Sequence, residues 1–165
     1  MSFTVKNLLL TGLFLGFFLF ISGKMRTGLT FGEVVGFELS FFTNNKVESR
    51  VKDFQTATVS SGQTKLAALK ANTHTDFLYI IGYVFLGIFL ARVAAGEGRI
   101  GTSNIIALLL VLAGLCDVVE NLQILQIIQE NFGFRPMVMS VCATVKFGLL
   151  VVSLAWAVGL FFTKK

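Results

Sequence analysis

The run Ile105-Ile106-Ala107-Leu108-Leu109-Leu110-Val111-Leu112-Ala113-Gly114-Leu115-Cys116 carries no charge, and it leads directly into Asp117, Glu120 and Asn121. A segment this apolar belongs in a lipid bilayer, where a carboxylate at mid-helix costs about 2.5 to 3.5 kcal/mol on insertion scales. Two carboxylates cost roughly 5 to 7 kcal/mol, against about 0.3 to 0.6 kcal/mol gained per Leu, Ile, Val or Phe. Such a helix inserts only marginally by itself. It needs neighbouring helices that meet its polar face, so the chain must fold as a bundle with a polar interior.

Composition points to the same class. Of 165 residues, 55% are hydrophobic and 14% charged, where a soluble domain averages about 25% charged; the mean hydropathy is +0.79. The net charge of +5 does not imply nucleic acid. The basic residues are scattered among loops and helix ends rather than gathered on one face, and read as topology determinants and contacts for anionic membrane lipids. Cys116 and Cys142 fall in different apolar segments without a C-x-x-C pattern, which predicts packing residues rather than a disulfide or zinc site.

A membrane span needs about 20 mostly apolar residues. Four segments qualify, roughly Val5 to Ser22, Thr75 to Ala95, Ser103 to Ile128 and Met137 to Phe162. The expected fold is therefore all-α, a four-transmembrane-helix bundle in a single domain covering residues 1–165. The first segment has a short basic start, and Ile21-Ser22-Gly23 loosely mimics a signal-peptidase site, but we read it as a retained span. Gly12 and Gly16 in it have G-x-x-x-G spacing, which permits close helix contact. Between the first two spans lies a polar region, about Gly23 to His74. There Asn45 and Glu48 have capping-box spacing, Val47, Val51 and Phe54 form an apolar stripe, and Glu48 with Lys52 makes an i, i+4 pair. These predict an amphipathic helix, lying on the membrane or capping the bundle. A second polar helix is expected after Ser61-Gly62, running through Lys65 to Lys70 into the next span. Gly96-Glu97-Gly98-Arg99 reads as a tight turn, and Pro136 opens the last helix, where a missing N–H is harmless.

An even number of spans puts both termini on one side. Lys6, Arg92, Arg99, Lys164 and Lys165 mark that side, and Lys24, Arg26, Lys65, Lys70 and Arg135 the other. The counts tie, but the first set sits in shorter segments, so both termini are expected to be cytoplasmic, in a plasma membrane.

The polar residues share a depth. Asp76 opens the second span, with Tyr79 and Tyr83 on the same face. At 1.5 Å per residue, Asp117, Glu120 and Asn121 lie about 10 to 16 Å inward from the long-loop side, and Lys146 about 13 Å inward. One ammonium cannot neutralise Asp76, Asp117 and Glu120 together, so a carboxyl keeps its proton or a cation or cationic ligand is present. His74 sits at the boundary, where solvation is the simplest role. Trp156 reads as an interfacial belt residue, and Gln123, Gln126 and Gln129 as the polar exit of the third span.

The segments Thr75-Asp76-Phe77-Leu78-Tyr79 with Tyr83, Ala113-Gly114-Leu115-Cys116-Asp117-Val118-Val119-Glu120-Asn121, and Lys146 with its following apolar run resemble a pattern found in small four-helix bacterial membrane proteins. The resemblance extends to Phe37-Glu38-Leu39 and covers most of the chain. It implies a fold and a bacterial inner membrane, and it carries no activity or cofactor.

Three functional classes are compatible with these residues. The first is an intramembrane pocket for a small polar molecule, a cation or a lipid head group. In it Asp117 and Glu120 are anionic ligands or proton acceptors, Lys146 a counter-charge, Asn121 an orienting partner, and Asp76, Tyr79 and Tyr83 the mouth. The second is an accessory or scaffold subunit of a larger complex or a homo-oligomer, with the network as structural glue. The third is a membrane-embedded enzyme moving a proton on a lipid-like substrate, although the chain has no H-E-x-x-H, no G-x-S-x-G and a single histidine.

Overall fold

The computed structural model describes residues 28–39, 47–129 and 136–162. The first apolar segment, Val5 to Ser22, with Gly12 and Gly16, lies outside these residues, as do Asn45 and Arg135. Among the described residues the structure is almost entirely helical: α1 (Phe31–Glu38), α2 (Val47–Thr56), α3 (Lys65–Ala95), a 3-10 turn (Glu97–Arg99), α4 (Ile100–Ile128) and α5 (Pro136–Phe162). The helices α3, α4 and α5 are each long and apolar enough to cross a membrane. Their arrangement is compatible with a multi-pass membrane protein.

Local chemistry sets the element boundaries. Thr30 and Glu33 form a capping box at the start of α1: the Glu33 N–H donates to Thr30 Oγ1 at 3.2 Å, and the Thr30 N–H donates to Glu33 Oε2 at 2.8 Å. Between α2 and α3 the chain reverses through an antiparallel bridge of Thr58 with Thr64. Gly62, at φ +83°, supplies the left-handed backbone this turn requires. Thr64 Oγ1 then accepts from the Ala67 N–H, starting α3. At 31 residues, α3 is about 46 Å long, against a hydrocarbon core of about 30 Å. The polar helix after Gly62 and the span from Thr75 are thus one continuous helix.

The burial pattern of α4 is that of a protein in lipid. Its buried stripe runs Ser103, Ile106, Leu110, Ala113 and Gly114, Asp117, Glu120 and Asn121, Ile124, Ile127. Its exposed face carries Ile105, Leu108, Leu112, Leu115, Val119 and Leu122. Large apolar residues face outward and charges face inward, the reverse of a soluble amphipathic helix. Small residues let α3 and α4 approach closely. A Cβ on Gly114 would stand 2.8 Å from Val84 Cγ2, and one on Gly87 would stand 2.8 Å from Leu110 Cδ1.

Helix α4 is central. It packs along both α3 and α5, which meet each other far less, so a cleft opens between them with α4 as its floor. Two apolar clusters close the ends. At one end Phe37, Val51 and Phe54 of α1 and α2 pack on Leu69, Ile124, Ile127 and Met139, with the Phe37 and Phe54 rings 4.8 Å apart. At the other, Ala91, Ala94 and Ala95 meet Ile106, Leu110 and Leu160, and Arg99 Nη2 donates to the Leu160 carbonyl at 3.3 Å near the end of α5. Helix α2 therefore caps the bundle through Val51 and Phe54.

This capping corrects one expectation. Gln123, read as part of a polar exit with Gln126 and Gln129, is 1% exposed, and neither of its side-chain polar atoms has a hydrogen-bond partner among the described residues. The apolar cap over Ile124 and Ile127 takes Gln123 away from water, so the polar exit runs from half-buried Gln126 to exposed Gln129.

Two outcomes follow. Gly114→Ala should destabilise the protein by about 1 to 3 kcal/mol, because β-branched Val84 has little room to rotate away. Gly87→Ala should cost less, since the Leu110 terminus can turn; unfolding in bicelles measures both. Separately, Glu33 bonds Lys65 and Thr30, which hold its carboxyl down at about 2, Lys65 contributing most. A depressed carboxylate stabilises the fold above its unfolded value of about 4.5, and that stability fades as pH falls toward 2. The protection factors of the α1 amides against hydrogen exchange should fall over this window in the wild type, and Glu33→Gln should show the lower protection already at neutral pH.

Candidate functional site

The stripe on α4 brings Asp117 and Glu120 to Lys146 of α5. The Lys146 Nζ donates to Asp117 Oδ1 at 2.9 Å, stands 2.9 Å from Glu120 Oε2 and lies 3.8 Å from Glu38 Oε2 of α1. Its contact with Glu120 is an ion pair without hydrogen-bond alignment, and both Glu120 oxygens lack a hydrogen-bond partner among the described residues. The Phe147 ring, its centroid 4.8 Å from Nζ, adds a cation–π contact. Every one of these charged side chains is at least nine-tenths buried.

Helix α3 joins through two further bonds. Tyr83 donates its hydroxyl to Asp117 Oδ2 at 2.9 Å, so both Asp117 oxygens are engaged. Asn121 Nδ2 donates to Asp76 Oδ2 at 2.8 Å. Tyr79 packs edge-on against Tyr83, ring centroids 5.9 Å apart. Asp76, Tyr79, Tyr83, Asp117, Glu120, Asn121 and Lys146 thus form one connected cluster spanning α3, α4 and α5.

Glu38 was not among the residues singled out for the site. Its signal was present: an acid inside the apolar run Val34-Val35-Gly36-Phe37-Glu38-Leu39, the same anomaly that marks Asp117. The C-terminus of α1 is fixed beside the cluster by Ser140, whose hydroxyl donates to the Glu38 carbonyl at 2.7 Å. Burial, reinforced by the Glu120 charge, pushes the Glu38 carboxyl well above the ordinary carboxylate range.

A cavity of about 800 Å³ opens beside the cluster. Glu38, Asp76, Asp117, Asn121 and Lys146 line it, with Tyr79 and Tyr83. Glu120 does not: it sits behind Lys146, and its charge reaches the cavity through that ammonium and through Glu38. Phe31, Val34 and Val35 of α1 form part of the wall, so the polar region before α3 helps to enclose the cavity. His74 is exposed and outside the lining. Cys116 and Cys142 are free, half-buried thiols, and among the described residues no cluster of His, Cys, Asp and Glu has metal-binding geometry.

Comparison with protein-family models, curated proteins and solved structures finds no match, so the functional reading rests on the geometry of the cluster.

The paired charges carry a mutational asymmetry. Lys146→Met strands Asp117 and Glu120 without a cation and should cost about 3 to 5 kcal/mol. Tyr83→Phe removes one hydrogen bond to a charged group, about 1.5 to 3 kcal/mol. Adding Asp117→Asn to Lys146→Met should recover part of the loss, which a double-mutant cycle in bicelles measures.

Proposed function

We propose that this protein is a four-span membrane protein of a bacterial plasma membrane, with Val5 to Ser22 as the additional span and both termini cytoplasmic, and that its buried cluster binds a polar or cationic group. The observation that carries this reading is the gathering of four carboxyls around one ammonium at a cavity wall. Glu38, Asp76 and Asp117 face the cavity, Glu120 lies behind them, and Lys146 is the cation paired among them. Four carboxyls therefore share one ammonium, and a bound group that supplies positive charge or hydrogen-bond donors would satisfy the oxygens that Lys146 does not reach.

The cost of burying these groups argues against a purely structural role. Interhelical hydrogen bonds in membranes gain about 0.6 kcal/mol each on average, well below the insertion cost of a single carboxylate. A ligand that brings positive charge or hydrogen-bond donors offsets that cost. In this reading Asp76 and Asp117 contact the ligand, Asn121 and Tyr83 fix their orientation, Tyr79 flanks the entrance, and Lys146 with Glu120 sets the charge of the wall.

Native mass spectrometry of gently extracted protein tests this. The wild type should retain a small molecule or metal ion that Asp117→Asn loses while staying folded. A bare mass for both, with a stoichiometric protein partner recovered from native membranes, would instead make the chain a scaffold subunit with the cluster as its internal brace.

A further inference from the structure

The cavity extends well beyond its polar end. Along the bundle from the charged cluster its lining becomes Leu90, Ile106, Leu110, Leu150, Leu154 and Ala157. From Lys146 to Ala157 the helix advances about 16 Å at 1.5 Å per residue. The shared depth expected of the polar residues therefore describes only the head of this cavity. The rest is an apolar channel between α3 and α5, floored by α4.

A second, independent feature lies on that wall. Ser153 is 2% exposed, lines the cavity, and its Oγ has no hydrogen-bond partner among the described residues. It stands two turns beyond Lys146 on the same face of α5. Serine hydroxyls in membrane helices ordinarily bond within the helix or across to a neighbour, as Thr144 does to the Ser140 carbonyl. A buried hydroxyl left unbonded at a cavity wall is a donor or acceptor available to whatever occupies the cavity.

Resting on the proposed binding function, we infer that the ligand is a single-chain amphiphile with a cationic ammonium head. The head lies among Asp76, Asp117 and Glu38, and the chain runs past Ser153 toward Leu90 and Ala157. Three properties select this class. Lys146 is already shared by three carboxyls, so the described lining has no free cation for a carboxylate, sulfate or phosphate head, while its carboxyl oxygens accept from an ammonium. The apolar channel gives a hydrocarbon chain a place that a free cation leaves unfilled. The volume falls within the range of small-molecule sites, about 300 to 1,000 Å³, which suits one chain rather than a two-chain phospholipid.

The test uses the full-length protein in nanodiscs of zwitterionic phospholipid with four probes: dodecylammonium, dodecanoate, dodecanol and ethylammonium. Dodecylammonium should bind one per chain by native mass spectrometry and raise the thermal midpoint by roughly 5 °C at saturation; the other three should do neither. Asp76→Asn should weaken dodecylammonium binding at least tenfold. Ala157→Phe, which fills the apolar end and leaves the charged cluster untouched, should also weaken it and remains informative if Asp76→Asn fails to fold.

If ethylammonium binds as well as dodecylammonium, and Ala157→Phe changes nothing, the amphiphile inference is overturned while the binding function stands. Equal binding of dodecanoate, dodecanol and dodecylammonium would overturn the cationic head. If none of the probes binds and neither variant alters the protein's co-purifying mass, the inference falls together with the binding function beneath it.

Discussion

The contact of Lys146 with Asp117 and Glu120 is the interaction on which the rest of this structure depends. Charges buried in a membrane bundle persist only when they face each other, and this contact ties α5 to α4 at a fixed depth and rotation. Tyr83 and the pairing of Asn121 with Asp76 then carry the same constraint to α3. Glu38 brings in α1 from outside the long helices. Four elements are held by one ammonium and its carboxyls, with Gly87 and Gly114 permitting the approach of α3 to α4 that this geometry needs.

Holding the bundle in this way gathers four carboxyls around one ammonium. Three of those carboxyls stand at the wall of a cavity rather than in packed core. The cavity itself follows from the central position of α4. Because α3 and α5 meet each other little, the space between them continues from the charged end into an apolar channel. A polar end joined to an apolar channel is the shape of an amphiphile, and the unbonded hydroxyl of Ser153 lies along that path.

Much of this was legible in the chain. The three described spans, the helix after Gly62, the turn at Gly96 and the opening of α5 at Pro136 follow from hydropathy, glycine and proline, which act over a few residues. Asp117, Glu120, Asn121, Asp76 and Lys146 stood out because charge in an apolar run is costly wherever it occurs. Glu38 carried the same mark but lies in a helix too short to span a membrane, so depth reasoning did not reach it. The burial of Gln123 was not legible at all. It depends on α1 and α2 folding back over the end of α4, and nothing within α4 records that.

The sequence by itself determined the helical class of the protein, its affinity for lipid and the need for a polar interior, since each follows from the transfer energies of residues along one strand of chain. Tertiary structure decided which carboxyl meets which donor, that Glu120 stands behind the cavity wall while Asp76 and Asp117 face it, and that the cavity continues into an apolar channel. Those outcomes depend on the rotation of each helix about its own axis and on which helices touch. Both are set by packing between distant segments, through contacts that hydropathy along the chain does not contain.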